Sequence, residues 1–567
     1  MKRTLRLLCI LLLTIVGTHA TYAADDVTPL DITFKRQAVG RFTFDEGSAI
    51  PLSGFTPNQV VNLTTEYPQI PITRESCHYT IDGSLLRVTS EKAAESALWM
   101  GGFNPFATFD VSFAESQKQS GTAGVEFATP DNQNRVSVVA CFDAGQCRSL
   151  RWSVLVKGKQ LEEKNTNLKK PARGPFTLRV QLLGSGLNVF LVRNGRNEVV
   201  STHDFSKLID LRQKKHIRSF EFRLLTQLNA GQEIVINQVN AALTTGVGQA
   251  DICALTYEDG SPLLDNGRLW FTMSVRGRHL PHPLQGVFSL NPSVFDVRLE
   301  SIIVFDRGDG LLRNEIASHI FYDRNAEQWR GLTVGFSAEG DPQKIEPKQL
   351  WAVSSQRDPR FGFTIMKAAK VDMPGGEEDP HIIYDARVQK WRVLVCTKGG
   401  PGYPATLYEA DHWNGPFKQI AGPVDINSTG CLLQKFGDQY YALFGGKGGH
   451  FHVYSYPELN ALGALDMDRP PWSEGENSRC WPNVIPLPEG YPAPYIALSM
   501  DRANYPGRDL PLLAQCHPSS RRLSRALHRT QHGPRELSWA EGLDLRRALS
   551  LPRPCQVTKK MRTAKES

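Results

Sequence analysis

Three consecutive carboxylates, Glu377, Glu378 and Asp379, stand directly before an apolar segment in GEEDPHIIYDARVQKWRVLV. Carboxylates are costly inside a protein core unless they are paired, so this position suggests a solvent-accessible site at the start of a strand. Two carboxyl groups in different surroundings can divide into a proton donor and a proton acceptor. The segment therefore predicts general acid–base chemistry, with Glu378 favoured by its place in the triple acid ahead of Pro380.

Polar side chains recur at the corresponding point of four other segments. These residues are Glu258 and Asp259, Asn314 and Glu315, Asp425, and Arg479. His319 and His381 occupy equivalent positions in two of the segments, one residue before an apolar pair. Each residue also has an ordinary structural interpretation, such as a turn acid, an Asx turn at Asp425, or a packed histidine. The sequence leaves these alternatives open.

The segments that carry these residues are five similar hairpins. Each has an apolar pair, a turn and an aromatic-led apolar run, and the aromatics are Trp270, Trp329, Trp391, Tyr440 and Tyr495. Their separations of 59, 62, 49 and 55 residues suit one four-stranded sheet per repeat. We therefore predict a five-bladed β-propeller over 251–507. The strand starts, and with them the acids, converge on one mouth of its central channel.

The first half of the chain, 30–243, shows strand patterns without intervening helical ones. Segments such as RVSVVACF, FTLRVQLL and LNVFLVRN are rich in Val, Leu and Phe, and turn clusters separate them. This pattern predicts a two-sheet jelly-roll sandwich of the concanavalin type. The fold class is therefore all-β, with TTGVGQA (244–250) as a linker between the two domains.

The second half resembles the five-bladed β-propeller glycoside hydrolases of the arabinanase and β-xylosidase type, family 43 and its relatives. DGSPLLDNGRLWF looks like the first-blade pattern of that family, which implies that Asp259 is the general base. GEEDPHIIYD looks like its third-blade element, which implies that Glu378 is the general acid. Two positions depart from the pattern: Gly260 stands where Pro is usual, and Ser318 stands where an acid is expected, with Glu315 three residues earlier.

The resemblance implies a hydrolase acting on a complex polysaccharide or oligosaccharide, with catalytic residues Asp259, Glu378 and Glu315. The candidate substrate-binding residues are His319, His381, Asp425, Arg479 and Trp481. Arg479 suits an acidic sugar and Trp481 suits stacking on a sugar ring, although Trp481 equally suits packing between blades.

Two other functions remain open on sequence grounds. A glycan-binding protein without catalysis is favoured by Ser318. A polysaccharide lyase would use His319 or His381 with Tyr257 to take a proton from a uronate. We expect a carbohydrate partner, a monomer and no cofactor, with a structural calcium in the axial channel as an open alternative. The absence of C-x-x-C and H-E-x-x-H motifs argues against a zinc site.

Residues 1–23 have the features of a secretory signal, with Lys2, Arg3 and Arg6 before an apolar run. We therefore predict a periplasmic or extracellular protein without membrane insertion. The formal charge of +7 comes from the signal (+3) and from 508–567 (+8), which leaves −4 for 24–507. This balance argues against a nucleic-acid partner.

Residues 508–567 differ in composition from the rest of the chain. They contain no Phe, Tyr, Ile or Asn and no strand pattern. We interpret them as a disordered or frame-shifted basic tail that replaces the natural closing strand of the propeller.

Cys141 and Cys147 flank a turn-like span. In an oxidising compartment they either form a small disulfide or remain buried thiols, and the sequence does not choose between the two.

Overall fold

The computed structural model describes residues 27–40, 42–278, 283–339, 346–400, 402–446, 450–468, 479–501 and 513–521. The predicted signal, and the predicted tail apart from 513–521, lie outside these residues. Within them, no helix is both long enough and apolar enough to cross a lipid bilayer.

The strands of the first half are short to medium in length and follow one another closely. They are β1 (Ile32–Phe34), β2 (Ala38–Gly40), β3 (Ile50–Phe55), β4 (Gln69–Pro71), β5 (His78–Asp82), β6 (Leu85–Thr89), β7 (Ala94–Gly102), β8 (Thr108–Phe113), β9 (Gly121–Ala128), β10 (Arg135–Asp143), β11 (Gln146–Val156), β12 (Lys159–Ala172), β13 (Phe176–Leu183), β14 (Gly186–Arg193), β15 (Arg196–Asp204), β16 (Glu221–Leu228) and β17 (Glu233–Leu243).

The strands of the second half continue the series. They are β18 (Gly248–Ala254), β19 (Thr256–Tyr257), β20 (Leu264–Asp265), β21 (Arg268–Arg276), β22 (Leu284–Asn291), β23 (Asp296–Asp306), β24 (Leu312–Arg313), β25 (Ile316–Asp323), β26 (Gln328–Val334), β27 (Leu350–Ser355), β28 (Gly362–Lys370), β29 (Glu377–Asp385), β30 (Lys390–Thr397), β31 (Ala405–Ala410), β32 (Lys418–Ala421), β33 (Leu432–Phe436), β34 (Gln439–Gly445), β35 (Phe451–Ser455), β36 (Ala461–Ala464), β37 (Asp466–Met467), β38 (Arg479–Pro486), β39 (Tyr495–Asp501) and β40 (Leu513–Arg521).

Helices are few and short among the described residues. The α-helices are α1 (Leu63–Glu66), α2 (Lys214–Ser219) and α3 (Phe336–Glu339), and three-residue 3-10 turns occur at Pro29–Asp31, Glu46–Ser48 and Pro57–Gln59. The prediction of an all-β chain is confirmed.

Two antiparallel sheets account for most of the first half. One has the order β12-β11-β10-β9-β16-β7-β4, and the other has the order β15-β14-β13-β8-β17-β6-β5, with β3 also paired to β17. Side chains from both sheets meet in one core. The ring centroid of Phe109 in the second sheet lies 4.6 Å from that of Phe127 and 4.8 Å from that of Phe222, both in the first sheet. The alternating apolar pattern of the sequence produces this packing because every second side chain of a strand faces the same way.

The second half contains five antiparallel four-stranded units, which we number one to five. They are β18-β21-β22-β23, β25-β26-β27-β28, β29-β30-β31-β32, β33-β34-β35-β36 and β38-β39-β40-β1. The first strand of each unit contacts the first strand of the next, and β38 of unit five contacts β18 of unit one. The first strands β18, β25, β29, β33 and β38 therefore form a closed ring.

Hydrogen bonds of one kind connect successive first strands in this ring. In each, a side chain accepts from a backbone N–H of the next unit: His319 Nδ1 from Ile382 at 3.0 Å, His381 Nδ1 from Leu433 at 3.3 Å, Gln434 Oε1 from Val484 at 2.6 Å, and Asn483 Oδ1 from Ala254 at 2.8 Å. Units one and two are connected differently, by parallel pairing of β19 with β25 and of the outer strand β23 with the outer strand β28, so that they share one sheet. We call the end of the ring where the first strands begin the proximal end, and the end where they finish the distal end.

Unit five is completed from both ends of the chain. Strand β40 pairs with β39 on one side and with β1 on the other. The sequence predicted no strand in this segment, so the prediction for the tail is wrong at 513–521. Its apolar content is low, but a strand added to a sheet is held mainly by backbone hydrogen bonds, which do not depend on composition.

Candidate functional site

Four of the five first strands, β18, β25, β29 and β38, carry a β-bulge at the same point near the proximal end. The register shifts before Cys253, His319, His381 and Asn483, and the residue two places earlier has a positive φ: 55° at Asp251, 53° at Ala317, 53° at Asp379 and 60° at Trp481. Backbone strain of this kind is common at functional sites. The bulge therefore defines which residues of different units are equivalent.

Glu378 is the accessible member of the triple acid. Its side chain is 21% exposed, and Oε1 lies 2.7 Å from Nζ of Lys348. Glu377 is buried and accepts from the backbone N–H of Gly375 at 2.8 Å, and buried Asp379 accepts from the N–H of Gly430 at 2.7 Å. The two flanking acids hold the loop backbone, so only Glu378 faces the solvent at this point.

Asp251 occupies the bulge of unit one, and the sequence did not point to it. Its Oδ2 accepts from Oγ of Ser274 at 2.6 Å and from Nη2 of Arg276 at 3.0 Å. The spacing between the bulge residue and the aromatic of the same hairpin does not identify Asp251, because unit one has a different spacing from units two and three. The bulges of units two and three precede Trp329 and Trp391 by twelve residues, whereas Asp251 precedes Trp270 by nineteen, because the first hairpin is longer.

Glu315 lies just before the bulge of unit two and is completely buried. It forms an ion pair with Arg307, which is 3% exposed, and accepts from the backbone N–H of Ser337 at 2.9 Å. Ser318, the position where the resemblance implied an acid, is also buried and hydrogen-bonds Thr333 at 2.7 Å. The structure thus places Glu315 in an internal ion pair and not in a cavity.

Asp259 lies at the distal end, not at the start of a first strand. The adjacent Glu258 carbonyl accepts from the N–H of Tyr384, near the finish of β29, at 2.6 Å. Glu378 is six residues earlier on that strand, which corresponds to about 20 Å. Carboxyl pairs in glycosidases lie about 5–10 Å apart. The structure therefore does not bring Asp259 and Glu378 together.

The surroundings of Asp259 favour its charged form. Burial alone would raise the pKa of Asp259, but hydrogen bonds from Ser261 and the guanidinium of Arg324 outweigh burial and lower it. Asp259 also lines a cavity of about 290 Å³ with Lys435 and Tyr495, between units one, four and five. The acid predicted from sequence therefore belongs to a separate cavity at the opposite end of the ring.

The two predicted histidines are interior residues. Their rings stack with centroids 3.8 Å apart, and both are buried. Burial lowers the pKa of His319 to about 3, and burial with the neighbouring His319 lowers the pKa of His381 well below its usual value. They connect neighbouring units, and no surface for a sugar hydroxyl is visible at either ring among the described residues.

A metal at this point of the axis is not supported by the ligand chemistry. Cys253, His319 and His381 have side-chain atoms within 4.8 Å of one another. Calcium takes roughly six to eight oxygen ligands, and this cluster provides sulfur and nitrogen. Both Nδ1 atoms accept backbone N–H groups, so each neutral ring carries its proton on Nε2, which then has no lone pair for a metal. The cluster does not fit the structural calcium that the sequence left open.

The remaining candidates lie in different surroundings. Trp481 is fully buried at the bulge of unit five, which matches its alternative interpretation as packing between units. Asp425 is exposed in the loop before β33. Arg479 begins β38, and its backbone is paired with that of Asp501.

Of the two alternatives that the sequence left open for Cys141 and Cys147, the structure has the free thiols. Cys141 packs in a small apolar cluster with Val139 and Leu225, whereas Cys147 belongs to the main core. The two thiols therefore lie on different faces of the sheet, with Cys147 buried and Cys141 half-buried.

Comparisons with known proteins give partial likenesses. No protein-family model and no curated protein matches the chain. A family 117 glycoside hydrolase, Zg3597, from Zobellia galactanivorans shares 11% identity over 47% of this chain and 84% of its own, with a TM-score of 0.34. A GH43_1 enzyme from Xanthomonas citri shares 12% identity over 48% of this chain and 89% of its own, also with a TM-score of 0.34.

The carbohydrate-binding module CBM66 from Bacillus subtilis shares 11% identity over 31% of this chain and 94% of its own, with a TM-score of 0.23. At these scores the likenesses carry no argument, and the function is argued from the residues.

Proposed function

We propose that this chain is an exported glycoside hydrolase built on a five-bladed β-propeller, with Glu378 and Asp251 as its carboxylate pair. The observation that carries the proposal is the equivalence of the bulges in units one and three. Two residues beyond those bulges, side-chain atoms of Cys253 and His381 lie within 4.8 Å of one another on the axis. Asp251 at the bulge of unit one and Glu378, one residue before the bulge of unit three, therefore approach the same proximal end from non-adjacent units.

The two carboxylates suit different roles. Asp251 is 3% exposed and accepts from Ser274 and Arg276, and we assign it the role of the base that takes a proton from the attacking water. Glu378 makes its contact through Oε1, which leaves Oε2 to carry the proton that is passed to the leaving glycosidic oxygen. This division is the one that glycoside hydrolysis requires.

The test compares three variants of the full chain: Asp251→Asn, Glu378→Gln and, as a matched control, Asp259→Asn. Hydrolysis is measured on 4-nitrophenyl arabinofuranoside and xyloside, on the neutral polymers arabinan and xylan, and on the acidic polymer polygalacturonate. Loss of an acid–base group should lower kcat/KM by about 10²–10⁴, and the control should stay within twofold. Activity that depends on Asp259 and not on Asp251 would move the site to the distal end.

A non-catalytic glycan-binding protein is the second candidate. Two observations favour it: the ammonium of Lys348 contacts Glu378, the group that must hold a proton, and Ala317 occupies the bulge of unit two. Binding of arabinan or xylan in affinity electrophoresis without release of reducing ends would select this alternative. The lyase interpretation loses its base, because His319 and His381 are both buried.

A further inference from the structure

A cavity of about 580 Å³ lies on the sandwich, and neither Asp251 nor Glu378 lines it. Its walls are the turn at Asn134, the end of β11 at Val156, and the segment 206–219 that precedes β16. This volume is within the range of about 300–1,000 Å³ that is typical of small-molecule sites.

The cavity is cationic. Lys157, Lys207 and Lys215 line it, and none of the three has a carboxylate within salt-bridge distance among the described residues. Asp210, the acid that lines the cavity, is already paired with Arg212: Nη2 donates to Oδ2 at 2.8 Å, and Nε donates to Oδ1 at 2.9 Å. Since 24–507 has a net charge of −4, this concentration of lysines is a local feature and not a property of the whole surface.

The cavity also has an apolar side. Val156, Leu208 and Ile209 lie beside the lysines, and Ile209 is 5% exposed. His216 adds a polar group with a defined proton: Nδ1–H donates to the carbonyl of Asp210 at 2.9 Å, which leaves Nε2 as an acceptor. An apolar surface, an acceptor for a hydroxyl and several ammonium groups together match a sugar ring that carries a negative charge.

The segment that lines the cavity continues into contacts with the proximal end of the propeller half. Lys214 contacts Asp306 at 2.5 Å, and Arg212 donates to Asn314 at 3.5 Å, two residues before β25 begins. The segment that lines the cavity is therefore joined to the proximal end of the ring, the end at which β29 begins.

We propose that this cavity binds an anionic sugar residue, a uronate or a sulfated sugar, of the polysaccharide on which the proximal end acts. That the ligand is a saccharide rests on the proposed function. That the ligand is anionic and small enough for the cavity rests on the residues that line the cavity and on its volume. The cavity thus assigns the sandwich a binding role and narrows the substrate class to acidic glycans.

The test is affinity electrophoresis and calorimetry at low salt with polygalacturonate, dextran sulfate, neutral dextran and polyuridylate. The test variant is Lys207→Glu/Lys215→Glu, and both residues are exposed. The control variant, Lys169→Glu/Lys170→Glu, makes the same charge change on exposed residues at the other end of β12. We expect at least tenfold weaker binding of one acidic polysaccharide in the test variant and a change of less than twofold in the control.

The two acidic probes distinguish a carboxylate ligand from a sulfate ligand. Equal loss in both lysine variants, equal binding of polyuridylate, or no preference over dextran would overturn the proposal. Asp251→Asn should lower kcat/KM by about 10²–10⁴ and keep binding, so the two proposals fail separately. If binding disappears in the test variant while neither the parent nor any variant hydrolyses a glycan, the proposed hydrolase activity is wrong and the proposed binding site is supported.

Discussion

The proximal and distal ends of the ring both carry acids, but they hold them differently. At the proximal end, Glu315 is fully buried against Arg307, and Glu378 is mostly covered. At the distal end, Asp259 is 42% exposed and its partner Arg324 is 47% exposed. An acid that looks catalytic in a repeat can therefore lie at either end, and the bulge, not the hairpin, shows which end it occupies.

The largest expected effect is the pH dependence of stability that the buried His319, in the interior between the two ends, produces. The pKa of His319 is lowered to about 3, so the folded state keeps it neutral while the unfolded chain binds a proton below pH 6.5. The contribution of neutral His319 to the free energy of unfolding is fully present above pH 6.5. It is lost as the pH falls toward 3, and the loss amounts to about 4–5 kcal/mol. Urea unfolding at successive pH values measures this slope.

His319→Gln preserves an acceptor for Ile382 but does not titrate, so its slope should be flatter. Exposed His78→Gln is the control. An unchanged slope in His319→Gln would mean that water reaches the histidines and that the two ends are not separated by a dry interior.

The proximal ion pair should be the next most sensitive feature. Glu315→Gln leaves the buried guanidinium of Arg307 without its nearest partner, and breaking a buried pair costs about 3–5 kcal/mol. The free energy of unfolding in urea is the measurement. The double variant Arg307→Met/Glu315→Leu should recover most of the lost free energy of unfolding. If the double variant is destabilised as much as the single variant Glu315→Gln, packing and not charge is responsible.

A smaller loss is expected at the distal turn. Gly260 has φ +78°, and a Cβ there would lie 2.9 Å from Cγ2 of Ile383. Gly260→Ala should therefore lower the free energy of unfolding by about 1–2 kcal/mol. Gly195→Ala, also at positive φ but with open space around it, separates backbone strain from the clash.

The distal ion pairs should contribute least. Arg324 contacts Glu258 and Asp259 at 2.8 and 2.9 Å while remaining half exposed. Arg324→Met should cost about 1 kcal/mol or less, and 1 M salt should reduce the difference from the parent. A loss as large as that of Glu315→Gln would remove the contrast between the two ends.

Several features were predictable from residue patterns because they depend on neighbours in the chain. Alternation of apolar and polar residues predicted the all-β class, and the recurring hairpins predicted the pairs β20–β21, β25–β26 and β29–β30, which contain Trp270, Trp329 and Trp391. Glu378 was identified as an accessible acid from its local context, and in the structure it is the most accessible member of the triple acid, with 21% of its side chain exposed.

Other features depend on residues far apart in the sequence, so local patterns could not show them. The seven extra residues of the first hairpin carried Asp259 to the distal end and left Asp251 at the bulge. His319 and His381 looked like ligands for a substrate, but the ring buries them against the backbone of the next unit. Whether a polar side chain meets solvent, a cation or a neighbouring strand is set by how the units close around the axis, and that closure involves contacts between residues as distant as Phe34 and Ser519.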